Sequence, residues 1–431
     1  MIYWAQLLHF YQPPTQLPSV LEKICNESYR PLLQVFREYP NAKATVNING
    51  VLTEMLKDCG HMDVIKGLKE LAEKGQIEFT GTAKYHPILP LISPDEVKRQ
   101  LELNRKTNSF FFGSAYRPIG FFPPEMAYSR DILPTIIETG HRWIILSGVA
   151  CPSGWPVDTV YQVEHDGKRL AVFFRDNLLS NKISFQELGP KDFLENLKDL
   201  KGDKKNIYVV TAMDAETYGH HIKDWEELFL AEVYEQLQVR SETYAYIQQK
   251  KVLATQHARL LQDAETTQQV QTATISHLLD IFPISDVLDP KPSSWSTTAE
   301  DIESGNPYPL WNDKGNEIHR LLWEHLAICI ELCSAASKLA DNDESKHFAG
   351  IARGMLDRSC QSDQFWWASR RPMWDINLIH MGLDDQHRAI VNAYRAISTS
   401  GADGKVKSDF YNKLLPAREL RNKIIDQLFV L

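Results

Sequence analysis

The chain has 431 residues, a formal net charge of -9, and 43% apolar and 24% charged residues. This length exceeds a single sheet-and-helix layer and fits a barrel of about 250 residues with an appended domain. The composition is that of an ordinary globular protein, and the negative balance disfavours nucleic acid or an anionic membrane as partner while suiting a neutral substrate.

The amino terminus runs straight into a strand-like segment without a basic leader, and no apolar run is long enough to cross a bilayer. A soluble, cytoplasmic protein is expected. The six cysteines show no paired metal-type spacing, and Cys329 and Cys333, one helical turn apart on an apolar helix, read as buried thiols. No metal and no cofactor is expected, and the oligomeric state is left open.

In chain order, Ile2 to His9 reads as a strand whose end runs into Gln12-Pro13-Pro14, where proline enforces extension. Ala44 to Ile48 is a second strand, followed by helices over Val51 to Lys57 and Asp63 to Lys74, with Gly75 as a stop. Gln76 to Gly81 is the next strand. Ser93-Pro94-Asp95-Glu96 then supplies a helix start, with proline at the first helical position and glutamate three residues after the cap. That helix should end before Gly113. Arg130 to Thr139 is predicted helical, Trp143 to Leu146 a buried strand, Tyr161 to Arg175 a hairpin turning at Asp166-Gly167, and Asp192 to Leu200 a helix. The apolar, β-branched run Ile207 to Met213 reads as a buried parallel strand that stops at Asp214. Strands alternating with helices indicate a parallel sheet or barrel.

From Thr272 the texture changes. Asp289 to Asp313 is a long loop whose aromatics, Trp295, Tyr308 and Trp311, require burial. Helices follow over Gly315 to Ala340, Lys346 to Leu356, Ile376 to Ile397 and Ser408 to Leu428, the last expected to break or kink at Pro416. Residues 1–288 are therefore read as a barrel, and 289–431 as a loop and helical domain that packs on it and completes the cleft.

Barrel chemistry sits at the carboxyl ends of strands. Asp214 ends one such strand, with Glu216 two residues on and Gly219-His220-His221 beyond. Glu125, in Gly120-Phe121-Phe122-Pro123-Pro124-Glu125, is the natural partner acid. His9 and His86 precede proline-bearing loops at strand ends, and Glu78 lies late on its strand, so all three are candidates for binding a polar substrate. Gln12 and His9 could donate hydrogen bonds to Glu125, and His220 is a candidate wall of the site. Trp366 and Trp367 follow Phe365 directly. One helix face cannot bury all three rings, so at least one is expected to face the cleft.

These segments, His9-Phe10-Tyr11-Gln12-Pro13, Gly75 to Gly81, Gly120 to Glu125, Met213 to Gly219 and Gln361 to Ser369, resemble the ordered motifs of glycoside hydrolase family 57. The resemblance implies an incomplete, seven-stranded (β/α) barrel followed by helices, and a retaining mechanism on α-glucosidic bonds. It implies Glu125 as nucleophile and Asp214 as general acid/base. Phe122 stands where many members carry tryptophan and offers an aromatic face to a sugar.

Retention requires two carboxyl groups about 5 to 5.5 Å apart, one ionised and one protonated. Burial or a like charge must hold the proton on Asp214, and Glu216 could supply that charge. An α-glucan or maltooligosaccharide is the expected substrate, with hydrolysis of α-1,4 bonds, extending to α-1,6 bonds as in an amylopullulanase, placed ahead of 4-α-glucanotransfer. Two other classes stay open: a zinc-dependent carbohydrate hydrolase or deacetylase using His9, His86, Asp214, His220 and His221, and a glucan-binding protein without catalysis.

Overall fold

In the computed structural model, which describes residues 1–152, 157–238 and 270–429, the strands of the first half lie side by side in parallel. Ile2–Phe10 (β1) pairs with Ala44–Ile48 (β2) and with Ile207–Asp214 (β8), and β2 pairs with Ile77–Phe79 (β3). A second ladder joins Gly120–Phe121 (β4) to Trp143–Ser147 (β5), and β5 to Lys168–Arg175 (β7). A parallel bridge from Gly81 to Phe121 links β3 to β4. Between β7 and β8 the link is a hydrogen bond from the Asp176 N–H to the Val210 carbonyl at 2.7 Å. The result is a seven-stranded, incomplete (β/α) barrel in the order β1, β2, β3, β4, β5, β7, β8.

Three further strands flank this ring. Val160–His165 (β6) forms the hairpin with β7 through Asp166 and Gly167, both at positive φ, as a two-residue turn between twisted strands requires. Val270–Thr272 (β9) adds to β1, and Ile284–Val287 (β10) to β6. Neither β9 nor β10 is visible as a strand in the apolar pattern, because each is short and β10 is largely exposed.

Strand alternation sorts the side chains. Ala5 and Leu7 of β1, Trp143 and Ile145 of β5, Ala171 and Phe173 of β7, and Tyr208, Val210 and Ala212 of β8 share one core inside the ring. Ile275 and Leu278 of the helix Ile275–Ile281, with Phe282 after it, join that core. Phe282 packs on Tyr3 and Tyr208, near the amino ends of β1 and β8, at centroid distances of 5.7 and 4.9 Å. One end of the ring is thereby filled. The alternate residues, among them Trp4, Leu8, Val46 and Val209, pack outward into a core shared with helix residues such as Leu32, Leu68 and Phe193.

The expected helix signals are present. Ser93 accepts a hydrogen bond from the Glu96 N–H at the start of Pro94–Phe112, which ends at Gly113 with φ 58°. The segment Pro18–Glu38 is helical throughout, but Cys25–Tyr29 forms a wider π turn within it, of the kind often met at functional sites.

A first unit comprises Met1–Gln12, Gln16–Lys84 and Ser93–Trp295; a second comprises Pro13–Thr15, Tyr85–Ile92 and Ser296–Leu431. The division falls at Trp295 rather than at 288, and two early segments belong to the second unit. That unit is helical, built on Glu317–Leu339, Asp343–Ser359, Ile376–Thr399 and Gly404–Leu428. Each starts with an Asn or Asp cap: Asn316, Asn342, Asp375 and Asp403. The break expected at Pro416 is absent; the helix continues through it. Leu414 and Ala417, both buried on either side of the proline, hold it in place by packing.

Gly120 on β4 is required by close approach. A Cβ there would lie 1.9 Å from the Trp143 indole, which packs inside the ring. Gly120→Ala should therefore cost about 1–3 kcal/mol by overpacking, measured as a lowered midpoint of thermal unfolding.

Candidate active site

Asp214 is the last residue of β8 and lies opposite His9 in the parallel register with β1. On its other side His9 is in register with Asn47 of β2. His9 Nδ1 lies 2.7 Å from Asn47 Oδ1, and Asn47 Nδ2 donates to Thr80 Oγ1 at 2.8 Å. Asn47, with its amide nitrogen turned to Thr80, presents its oxygen to His9, so the imidazole proton sits on Nδ1. Burial pushes the His9 pKa down, against the opposing pull of Asp214 and Asn47, which keeps the ring neutral.

Glu125 follows β4. It adopts φ 58° and ψ 15°, and Met126 is also left-handed at φ 49°. Such a conformation in a residue with a side chain costs about 1–3 kcal/mol and marks a position held by its surroundings. Trp295 does the holding. Its backbone N–H donates to the Glu125 carbonyl at 3.0 Å, and its indole Nε1–H donates to Glu125 Oε2 at 2.8 Å.

Aromatic contacts join the two acids' surroundings. The His9 ring stacks on Phe122 at 4.8 Å and 20°, and Trp295 meets His9 edge-on at 5.8 Å and Phe122 at 5.9 Å. A continuous path of contacts therefore runs from Glu125 through Trp295 and His9 to Asp214. Phe122 is fully buried, so it supports His9 from beneath and presents no face of its own to a sugar. This corrects the sugar-stacking role read from sequence.

Burial raises the Asp214 pKa, while His9 and the Arg175 guanidinium oppose it. Arg175, buried at the end of β7, donates to the Ala212 carbonyl at 2.7 Å and to Asn177 and Asn181 at 3.0 and 2.9 Å. Glu216 is buried behind Asp214, accepting hydrogen bonds from Tyr29 Oη and, at 2.8 Å, from Gln12 Nε2. Its pKa is raised by burial first and by the Asp214 charge second, with Tyr29 and Gln12 opposing. The like-charge effect anticipated from sequence thus bears on Glu216, and burial accounts for the upward shift of Asp214. Gln12, expected beside Glu125, serves Glu216 instead.

The π turn at Cys25–Tyr29 delivers Tyr29 to Glu216 and Glu27 to His220, whose Nδ1 lies 2.6 Å from Glu27 Oε2. Gly219, at φ 103°, makes this possible: a Cβ there would sit 1.8 Å from the Glu27 carbonyl. His220 is thereby committed to Glu27.

Glu78 lies one interior layer deeper than His9. It is in register with Thr45, two residues before Asn47, and its Oε1 accepts from Thr45 Oγ1 at 2.8 Å and the Ser276 N–H at 3.0 Å. It therefore caps the first turn of the helix Ile275–Ile281, and burial raises its pKa. The substrate contact expected of it is replaced by this internal role.

His86, Trp366 and Trp367 belong to the second unit. There His86 Nδ1 lies 3.0 Å from Ser362 Oγ, and the Ser362 N–H donates to the His86 carbonyl at 3.0 Å. Phe365 is buried against Trp323 with centroids 3.9 Å apart, Trp367 is buried at 4% exposure, and Trp366 alone of the three rings is partly exposed. Trp367 thus belongs to the interior and not to a sugar face. Among the described residues no three His, Cys, Asp or Glu side chains converge as metal ligands would.

Sequence reasoning missed Asn47, Thr80, Arg175, Tyr29 and the role of Trp295. Arg175 carried a signal, a lone basic residue ending an apolar strand. Trp295 was marked only as an aromatic in need of burial.

Because Glu216 has a raised pKa in the fold, the stability it contributes is full below its unfolded value of about 4.3 and is lost as pH rises toward the raised value. Glu216→Gln cannot ionise. Its unfolding midpoint should fall less than wild type between acidic and mildly alkaline pH, as followed by circular dichroism.

The sequence model described as Glycosyl hydrolase family 57 matches residues 6–263. The alpha-amylase of Pyrococcus horikoshii is 28% identical over 220 residues, covering 49% of this chain and 33% of that protein. The 4-alpha-glucanotransferase of Thermococcus litoralis is 25% identical over 220 residues, covering 49% of this chain and 32% of that protein. The match to these curated relatives thus spans about a third of their length. Among solved structures, a GH57-type branching enzyme from Pyrococcus horikoshii superposes with a TM-score of 0.70 at 15% identity, over 97% of this chain and 94% of that one. At that identity the likeness is one of fold. No described helix is long and apolar enough to cross a membrane.

Proposed function

The chain belongs to glycosyl hydrolase family 57, whose sequence model matches more than half of it, and from that premise we propose that it is a retaining enzyme acting on α-glucans. Glu125 attacks the anomeric carbon, forming the glycosyl-enzyme bond as the glycosidic bond breaks. Asp214 gives its proton to the leaving oxygen. In the second half Asp214 takes a proton from the incoming water or sugar hydroxyl, and Glu125 leaves.

One observation carries this reading: Trp295 donates to Glu125 and also contacts His9, which is in register with Asp214. The raised pKa of Asp214 suits a group that must enter the reaction protonated. Neutral His9 fits a hydrogen-bonding role toward a sugar hydroxyl. Six free cysteines fit a cytoplasmic protein, and the acidic surface balance fits an uncharged substrate.

Hydrolysis is the first assignment, in line with the alpha-amylase among the relatives. Transfer to a second glucan is the alternative, in line with the 4-alpha-glucanotransferase. Incubation with maltoheptaose separates them, since longer chains appear only on transfer.

Glu125→Gln and Asp214→Asn should each lower turnover by several orders of magnitude with an unchanged unfolding midpoint; wild-type rates in either would refute the assignment. Trp295→Phe keeps the ring but removes one hydrogen bond to a carboxylate, so kcat should fall about 10- to 100-fold, read from initial rates on the same substrate.

A further inference from the structure

Strand alternation fixes where Arg175 points. Ala171 and Phe173 of β7 lie in the core inside the ring, as do Tyr208, Val210 and Ala212 of β8. Arg175 and Asp214 each follow two residues later, so both continue the interior column of their strand. The two columns are joined at that level, where Arg175 Nε donates to the Ala212 carbonyl at 2.7 Å. The terminal nitrogens donate to Asn177 Oδ1 at 3.0 Å and Asn181 Oδ1 at 2.9 Å, on the helix Asn177–Ser184.

All three acceptors are uncharged. A guanidinium only 5% exposed and bonded to neutral oxygens is costly unless an anion stands close by. Burial lowers its pKa to about 10, which leaves it a cation at neutral pH, and Asp214 acts on it ahead of Asp176. Asp176 is engaged elsewhere, its Oδ1 accepting the Leu179 N–H at 2.9 Å as cap of that helix. The other titratable groups about Asp214 are His9, held neutral on β1, Glu216, bonded to Tyr29 and Gln12, and Glu125, its partner in the reaction. None of these supplies a positive charge.

We infer that Arg175 is a positioning residue of the glycosyl transfer, a fixed cation that stabilises the Asp214 carboxylate left behind when the leaving oxygen takes its proton. The inference rests on the reading of Asp214 as acid and base. Asp214 enters the first half neutral and leaves it as an anion, while the guanidinium stays protonated throughout and exchanges nothing. Burial alone would make Asp214 a poor donor, because it penalises the anion, and Arg175 limits that penalty.

Arg175→Gln removes the charge and Arg175→Lys keeps it. On maltoheptaose the alkaline limb of kcat/KM, which reports loss of the proton from Asp214, should move up by about one pH unit in Arg175→Gln and return toward wild type in Arg175→Lys. At its optimum Arg175→Gln should lose about 10-fold in kcat/KM, and less on para-nitrophenyl α-maltotrioside, whose leaving group needs little protonation. A purely structural role would lower both substrates alike and leave the limb in place. Should Arg175→Gln fail to fold, Asn181→Asp serves, because Asn181 is exposed and a carboxylate there neutralises the guanidinium where it stands, with the same upward shift expected. An unmoved alkaline limb in the folded variant, or equal losses on the two substrates, would overturn the inference while Asp214→Asn remains inactive. Wild-type rates in Asp214→Asn would instead refute the reading beneath it.

Discussion

The pairing of β1 with β8 is the constraint on which the site depends. It joins residues two hundred positions apart in a parallel register and sets His9 beside Asp214. A slip of β8 by one residue would turn Asp214 to the outer core while His9 stayed inside, because strand faces alternate. The interior layer that results is polar at one end of the ring, through Asp214, His9, Asn47 and Thr80, and apolar toward the other, where Phe282 packs. Chemistry and packing are thus separated along the barrel's length and share the same strands.

A second constraint is electrostatic. Asp214 and Glu216 are both carboxyls with raised proton affinity, and Arg175 and His9 temper the first while Tyr29 and Gln12 temper the second. Glu125 stands in different surroundings, on a strained turn with an indole N–H on its carboxylate. Two acids held in unlike environments are what a two-step displacement needs, since one must attack as an anion while the other supplies a proton. The strain at Glu125 and Met126 is sustained because Trp295 binds the turn through both backbone and side chain.

The elements that bring these groups together were unevenly legible. The hairpin at Asp166-Gly167, the Ser93 cap and the stop at Gly113 were all readable, since each rests on the conformational habit of a residue and its near neighbours. The break expected at Pro416 failed to appear for the converse reason: an intrinsic preference gave way to packing by Leu414 and Ala417. Phe122 was read as an available ring and proved to be core, because exposure is a property of the assembled fold and not of the residue.

The sequence by itself determined that acids end the strands, in the order and context that mark the family, because strand endings and turn chemistry are local. It also determined the alternation that makes a parallel barrel. Only the tertiary structure decided which groups serve those acids. Trp295 reaches Glu125 across 170 positions, Gln12 goes to Glu216, and Glu78 descends to cap a helix. Such choices depend on register and depth, which arise when strands meet, and no local pattern carries them.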